Sequence, residues 1–192
     1  MTTETDIINR ALDILKEAPI SSVNDQRPIA MAMKRNFATA RDALLEEAEW
    51  NFAIKRHSLP AASPAPAFGW GYAYTLPPEA IRVIPLTEDG TSEGEPIPFE
   101  VEYGQILTNA EAPLKVRIVT RVEDYARYPA TFQTALSAKL ALTIAHWLTG
   151  KTNFAQIATA LYREALEKAW LSDAIQGTSP RAADDEWVNS RS

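Results

Sequence analysis

No cysteine occurs among the 192 residues. That excludes disulfides, thiolate metal sites and a cysteine nucleophile. Histidine is almost missing too: His57 and His146 are the only two, and no carboxylates stand around them at metal-ligand spacing. Glycine is scarce, with seven residues scattered at turns, and none belongs to a clustered loop that could cradle a phosphate. Positive charge has no excess, since 19 Lys and Arg face 25 Asp and Glu for a net charge of -6. The pI is near 5.0. A protein that grips nucleic acid by its phosphates needs a basic face; a protein that DNA merely passes does not. The N-terminal stretch MTTETDIINRAL carries acids and no apolar h-region, so no signal peptide is expected and the product is expected in the cytoplasm when made.

What is present is an ordinary globular composition, 46% hydrophobic and 23% charged. The longest apolar stretch is Thr131 to Thr149, TFQTALSAKLALTIAHWLT. At 100° per residue its apolar side chains cover nearly the whole circumference of a helix, about 28 Å long at 1.5 Å per residue. Gln133, Ser137, Lys139 and His146 lie within it, which argues against a membrane span. It reads as the central rod of a soluble helical bundle. Lys139 and His146 fall on one line of that rod, and that line is expected to reach solvent, a pore or a neighbouring subunit.

Before the rod, Asp6 to Glu17 has one-sided 3.6-residue spacing with Thr3 or Thr5 as cap, and it stops at Ala18-Pro19. A second helix is expected from Pro28 to about Glu49, with Met33, Phe37, Ala40, Leu44 and Ala48 inward and Arg41 and Asp42 among the outward residues. From Trp50 the periodicity changes. Strands are expected at 50–59, 68–78, 80–86, 99–103, 105–108 and 115–122, with Lys115, Arg117, Val119 and Arg121 on a wet face. After the rod, Gly150 is a stop signal and Asn153 a cap for a last helix, Phe154 to Gln176. Its expected core stripe is Phe154, Ile157, Ala158, Leu161, Ala165 and Ala169, with Trp170 and Leu171 off that stripe. Residues 178–192 lack periodicity and are expected to form an extended C-terminal tail. The expected fold class is therefore α+β: an antiparallel four-helix bundle (residues 1–49 and 130–177) with an inserted small antiparallel β domain (residues 50–129) and the C-terminal tail.

Three segments in order carry a family resemblance: APISSVND after the first helix, AEWNFAIKRHSL closing the second, then GWGYAYTLPPEAIRVIPL. With the Val-rich strand and the Ala-rich helix pair that follow, the chain resembles the head-to-tail adaptors of short-tailed bacteriophages, the tail tubular protein A type, over nearly its whole length. The resemblance implies a virion protein without catalytic residues, cofactor or metal. It implies a closed ring of about twelve subunits between the portal protein and the tail nozzle protein. Tail fibres attach to the completed surface, and genomic DNA passes through the channel without specific binding. In that setting the portal is the expected partner of the tail, through Trp187 and Val188 with Arg181 and Arg191 around them. Trp170, Leu171, Lys139 and His146 are the expected subunit-interface residues.

Two other classes have residues to support them. Glu100 and Glu102 share a strand face at a separation compatible with the paired carboxylates of a glycosidase, which would make the chain a tail-associated polysaccharide hydrolase. The aromatic run Phe68, Trp70, Tyr72 and Tyr74 could serve a carbohydrate-binding module. The plainer reading of each is two solvated acids and a strand face packed on a core.

Overall fold

The computed structural model describes residues 2–91, 94–148 and 152–177, with the backbone alone given at 146–148 and 152–154. Helix α1, Glu4–Ile14, opens on a reciprocal cap: the Thr3 hydroxyl accepts from the Asp6 amide and the Asp6 carboxylate accepts from the Thr3 amide. Helix α2, Pro28–Glu46, starts with its proline in the first turn. A 3-10 turn, Asn51–Ala53, leads into strand β1, Ile54–Leu59. Strands β2 (Tyr72–Thr75), β3 (Ala80–Val83), β4 (Phe99–Glu102), β5 (Gln105–Thr108) and β6 (Leu114–Thr120) follow. Helices α3 (Ala130–Leu148) and α4 (Thr152–Gly177) complete the described residues.

The expectation of a four-helix bundle with a small inserted β domain is overturned. The six strands form two three-stranded antiparallel sheets, ordered β1-β6-β3 and β2-β5-β4. Helices α1, α2 and α4 each pack on α3, and α2 also packs on β3 and β6. One continuous core therefore joins the helices to the first sheet, through Ile84 and Val119 alongside Phe37, Leu44, Trp50 and Phe132. A second core, Tyr74, Leu86, Ile106, Leu114, Val116 and Ile118, lies between the two sheets. The architecture is a mixed α+β stack of helices, first sheet and second sheet. The physical reason lies in β6, whose neighbours Ile118 and Val119 are both fully buried and serve opposite cores. Side chains alternate across a strand, so a strand buried on both faces needs a layer on each side. Val119 is thus not on a wet face.

Polar groups on the rod are used inside the chain. Ser137 Oγ lies 3.0 Å from the Ile7 carbonyl oxygen and Gln133 Nε2 donates to the Tyr128 carbonyl at 2.8 Å. An aromatic cluster closes the joint between the helices and the first sheet. Phe132 meets Trp50 at 5.1 Å, Phe52 at 4.7 Å and Tyr128 at 5.0 Å, all edge-to-face. Trp50 Nε1 donates to the Leu44 carbonyl at 2.8 Å, so this buried indole leaves no donor unmet.

Candidate functional site

Among the described residues the second sheet with its loops and helix α4 each carry several exposed large apolar side chains, and α2 carries one, Met31. On the second sheet, Ala73, Leu107 and Glu100 stand opposite one another across β2, β5 and β4, as do Thr75, Gln105 and Glu102. These residues form the outer face, because Tyr74, Ile106 and Val101 share the other. The Pro-rich loop 63–70 lies over the outer face and leaves an open groove of about 480 Å³. Trp70 Nε1 donates to Glu100 Oε2 at 3.0 Å, tying loop to strand. Phe68, at the end of that loop, is 89% exposed. The β4–β5 hairpin turns on Tyr103 and Gly104, both with positive φ (46° and 72°), the pattern of a two-residue turn. It presents Tyr103 fully to solvent.

Glu100 and Glu102 thus share one face of β4, with Trp70 and Phe68 on the groove beside them. Tyr72 and Tyr74 do not join that platform. Tyr74 is fully buried in the second core with its hydroxyl donating to the Ala110 carbonyl at 2.7 Å, and Tyr72 packs on the same core. The four aromatics therefore separate into two on a groove and two on a core. His57 is half-buried at the margin of the second core, opposite Val116, and its Nε2 is out of contact with water and with any hydrogen-bonding partner among the described residues. Among those residues no group of His, Asp and Glu could hold a metal ion. No helix among them is long and apolar enough to cross a membrane.

On α4, Ala158, Ala165 and Ala169 are buried, while Ile157 and Leu161 of the expected core stripe are exposed. Small side chains let α3 and α4 approach closely, and the branched residues Ile157 and Leu161 are left on the flank. Trp170 is 43% exposed and Leu171 67%. Trp170 lines a shallow depression with Ala48, Glu49, Asn51, Asp173 and Ala174. That depression is bounded by a tight clasp. The Asn51 amide donates to both Asp173 carboxylate oxygens, at 3.0 and 3.1 Å, and Asn51 Nδ2 donates to the Asp173 carbonyl at 2.8 Å. Burial holds the Asp173 carboxyl above the usual aspartate value, partly countered by the Asn51 amide.

Lys139 is engaged within its own chain. Its ammonium pairs with Glu47 and donates to the Tyr162 hydroxyl at 3.2 Å, and that hydroxyl donates to Glu47 at 2.6 Å. Burial, with Glu47 next to it, raises the Tyr162 hydroxyl well above the ordinary tyrosine range, so it remains a donor. The three residues lock the end of α2 to α3 and α4. His146 falls in the last turns of α3, its side chain outside the described residues. Trp187, Val188, Arg181 and Arg191 also lie outside them.

Sequence reasoning missed a second ionic joint. Asp42 accepts from Arg41 Nε at 2.7 Å and from Arg121 Nε at 2.9 Å. Arg41 was expected to point outward but is buried, on a helix that packs against β3 and β6. No family model matches the chain, and no curated protein matches it.

Proposed function

We propose that the chain is a structural subunit of a head-to-tail adaptor ring in a short-tailed phage virion, between portal and tail nozzle. The observation that carries this reading is the ordered series of three segments, which lie at the joints of the fold. APISSVND is the connector held to α1 by Asn9, whose side chain bonds the Ile20 amide and carbonyl at 2.8 and 3.0 Å. AEWNFAIKRHSL carries Trp50 and Phe52 of the aromatic joint and runs into β1. GWGYAYTLPPEAIRVIPL crosses from the second sheet to the first, as β2 and β3. Joint residues set the relative placement of layers, which is what an assembly subunit must keep fixed. The exposed apolar residues of α4 support an interaction role.

In this reading the tail 178–192, through Trp187 and Val188, docks on the portal, and many weak docking events around a ring add up. The test is electron microscopy of the purified protein mixed with the portal protein of the same genome. Rings of about twelve subunits seated on portals are expected, and a chain ending at Gly177 should lose that seating. Portals that stay bare, or duplex DNA bound at sub-micromolar Kd in physiological salt, would overturn the reading.

A second reading is favoured by one observation, the groove where Glu100, held by Trp70, stands beside the exposed Phe68. Carboxylates that accept from sugar hydroxyls, next to aromatic faces, suit a carbohydrate. Oligosaccharide binding that Trp70→Ala abolishes would support it, and turnover lost in Glu100→Gln would make the chain a hydrolase.

A further inference from the structure

We propose that one exposed strip of α4 pairs with the same strip of a second copy, antiparallel and about a two-fold axis. Ile157, Leu161, Glu164, Lys168, Leu171 and Ile175 follow one another at steps of four and three residues. At that spacing they stay on one narrow line of the helix, the seam geometry of helix pairs. The four apolar members are 43%, 39%, 67% and 77% exposed in chain order. The two in the middle are charged and exposed, and Lys168 Nζ lies 2.6 Å from Glu164 Oε1. Each of the four apolar members keeps more than a third of its surface open among the described residues.

The strip has the same apolar order read from either end, with its two charges exchanged. An antiparallel partner centred on residue 166 sets Ile157 against Ile175, Leu161 against Leu171 and Glu164 against Lys168. A parallel partner would set Glu164 on Glu164 and Lys168 on Lys168, and like charges directly opposed disfavour that arrangement. Charge order therefore selects both the orientation and the occupant, a second copy of this chain. The intrachain Glu164–Lys168 pair is exposed and worth little by itself, so exchanging it for two interchain pairs costs little. The isoleucines and leucines supply the affinity and the charges fix the register. Glu167 lies on the flank of the strip, where the two-fold brings its two copies near each other. Arg163, one turn earlier on the same flank, offsets them.

The seam runs about 27 Å from Ile157 to Ile175 and uses six residues of each copy, against about 20–30 a side in a standard interface, so the dimer is weak and concentration-dependent. A two-fold contact closes on itself and cannot run round a ring. The pairing thus describes the free protein and does not depend on the adaptor reading.

The absence of cysteine makes the test direct. Leu161→Cys and Leu171→Cys chains, full-length, are oxidised separately and as a mixture. The mixture is expected to give mainly the disulfide between the two different chains, several-fold above either homodisulfide. In sedimentation equilibrium the unaltered chain should show a monomer–dimer equilibrium. Leu171→Glu, with an unchanged far-UV circular dichroism spectrum, should weaken it about tenfold or more. Glu164→Lys should weaken it too, and adding Lys168→Glu should restore it. A monomer at every concentration, homodisulfides in the majority, or indifference to Glu164→Lys would each overturn the proposal.

Discussion

Strand β6 serves two cores of different depth. Towards the helices, Val119 joins a core that draws on all four helices, the Trp50–Ala53 turn and β3. Towards the second sheet, Val116 and Ile118 join a core with six buried members among the described residues. The first core is sealed by interlocked aromatics and by side-chain clasps at its edges. The second is a single layer under a sheet whose other face is an open groove. Local stability follows the amount of apolar contact and the number of protected backbone bonds. The second sheet should therefore open at lower cost than the helical layer, and surfaces that must adapt to a ligand or partner are better placed there.

The largest expected effect comes from the sealed side. Phe132 touches Trp50, Phe52 and Tyr128 and is fully buried. Phe132→Ala should cost about 4 kcal/mol in denaturant unfolding and lower the stability of both cores together. Retention of near-native stability would mean that the joint can collapse around the missing ring. Next is Ile106→Ala, fully buried in the second core, which should cost about 3 kcal/mol there. Its signature differs: amide exchange should rise across β2, β4 and β5 while the α1 and α3 amides keep their protection. Uniform loss of protection would show that the two cores unfold as one.

The ionic joint comes third. Asp42→Ala leaves the buried Arg41 guanidinium without its carboxylate and frees Arg121 from α2. A loss of about 2 kcal/mol is expected, the usual cost of an unsatisfied buried polar group. Arg121→Ala should cost less, because Arg121 is more exposed than Arg41. Equal costs would place the strength of the joint in the outer pair.

These residues also mark where the sequence was legible. The four helices, with Thr3 as one of two candidate caps and Pro28 in a first turn, and the approximate places of the six strands could be read from periodicity, because each depends on neighbours along the chain; Asn51–Ala53, expected to be extended, is instead a 3-10 turn. Val119 could not, since its burial comes from helices distant in sequence, and an alternating strand looks half-wet until a second layer is known. Arg41 was misread for the same reason: a charged residue beside an aspartate resembles a solvated pair. On α4 two apolar lines run side by side, and hydrophobicity alone does not say which faces α3. Ala158, Ala165 and Ala169 are taken inward because they are small, which leaves Ile157 and Leu161 outside. The carboxylate pair Glu100 and Glu102 and the aromatic run Phe68, Trp70, Tyr72 and Tyr74 were each legible, but as separate features. Their meeting at one groove, and the loss of Tyr72 and Tyr74 from the run, needed the strand pairing of the second sheet.

The smallest effect concerns the clasp between the 3-10 turn and α4, and it is read as a slope with pH. Burial raises the Asp173 carboxyl above its ordinary value of 3.8, and the Asn51 amide only partly opposes that rise. A carboxyl easier to protonate in the folded state than in the unfolded state favours folding when protonated. Its contribution is fully present below the ordinary value. It is lost as pH rises through the folded value, because the folded protein must then ionise a group partly withdrawn from water. Asp173→Asn keeps an acceptor for the Asn51 amide and does not titrate. The difference in Tm between the unaltered chain and this variant should therefore move in the variant's favour as pH is raised from about 3 to about 7. A difference that is flat with pH would mean that the Asn51 bonds compensate the carboxylate fully. A difference moving the other way would mean that they outweigh burial, so that this clasp, at the edge of the larger core, is held by charge.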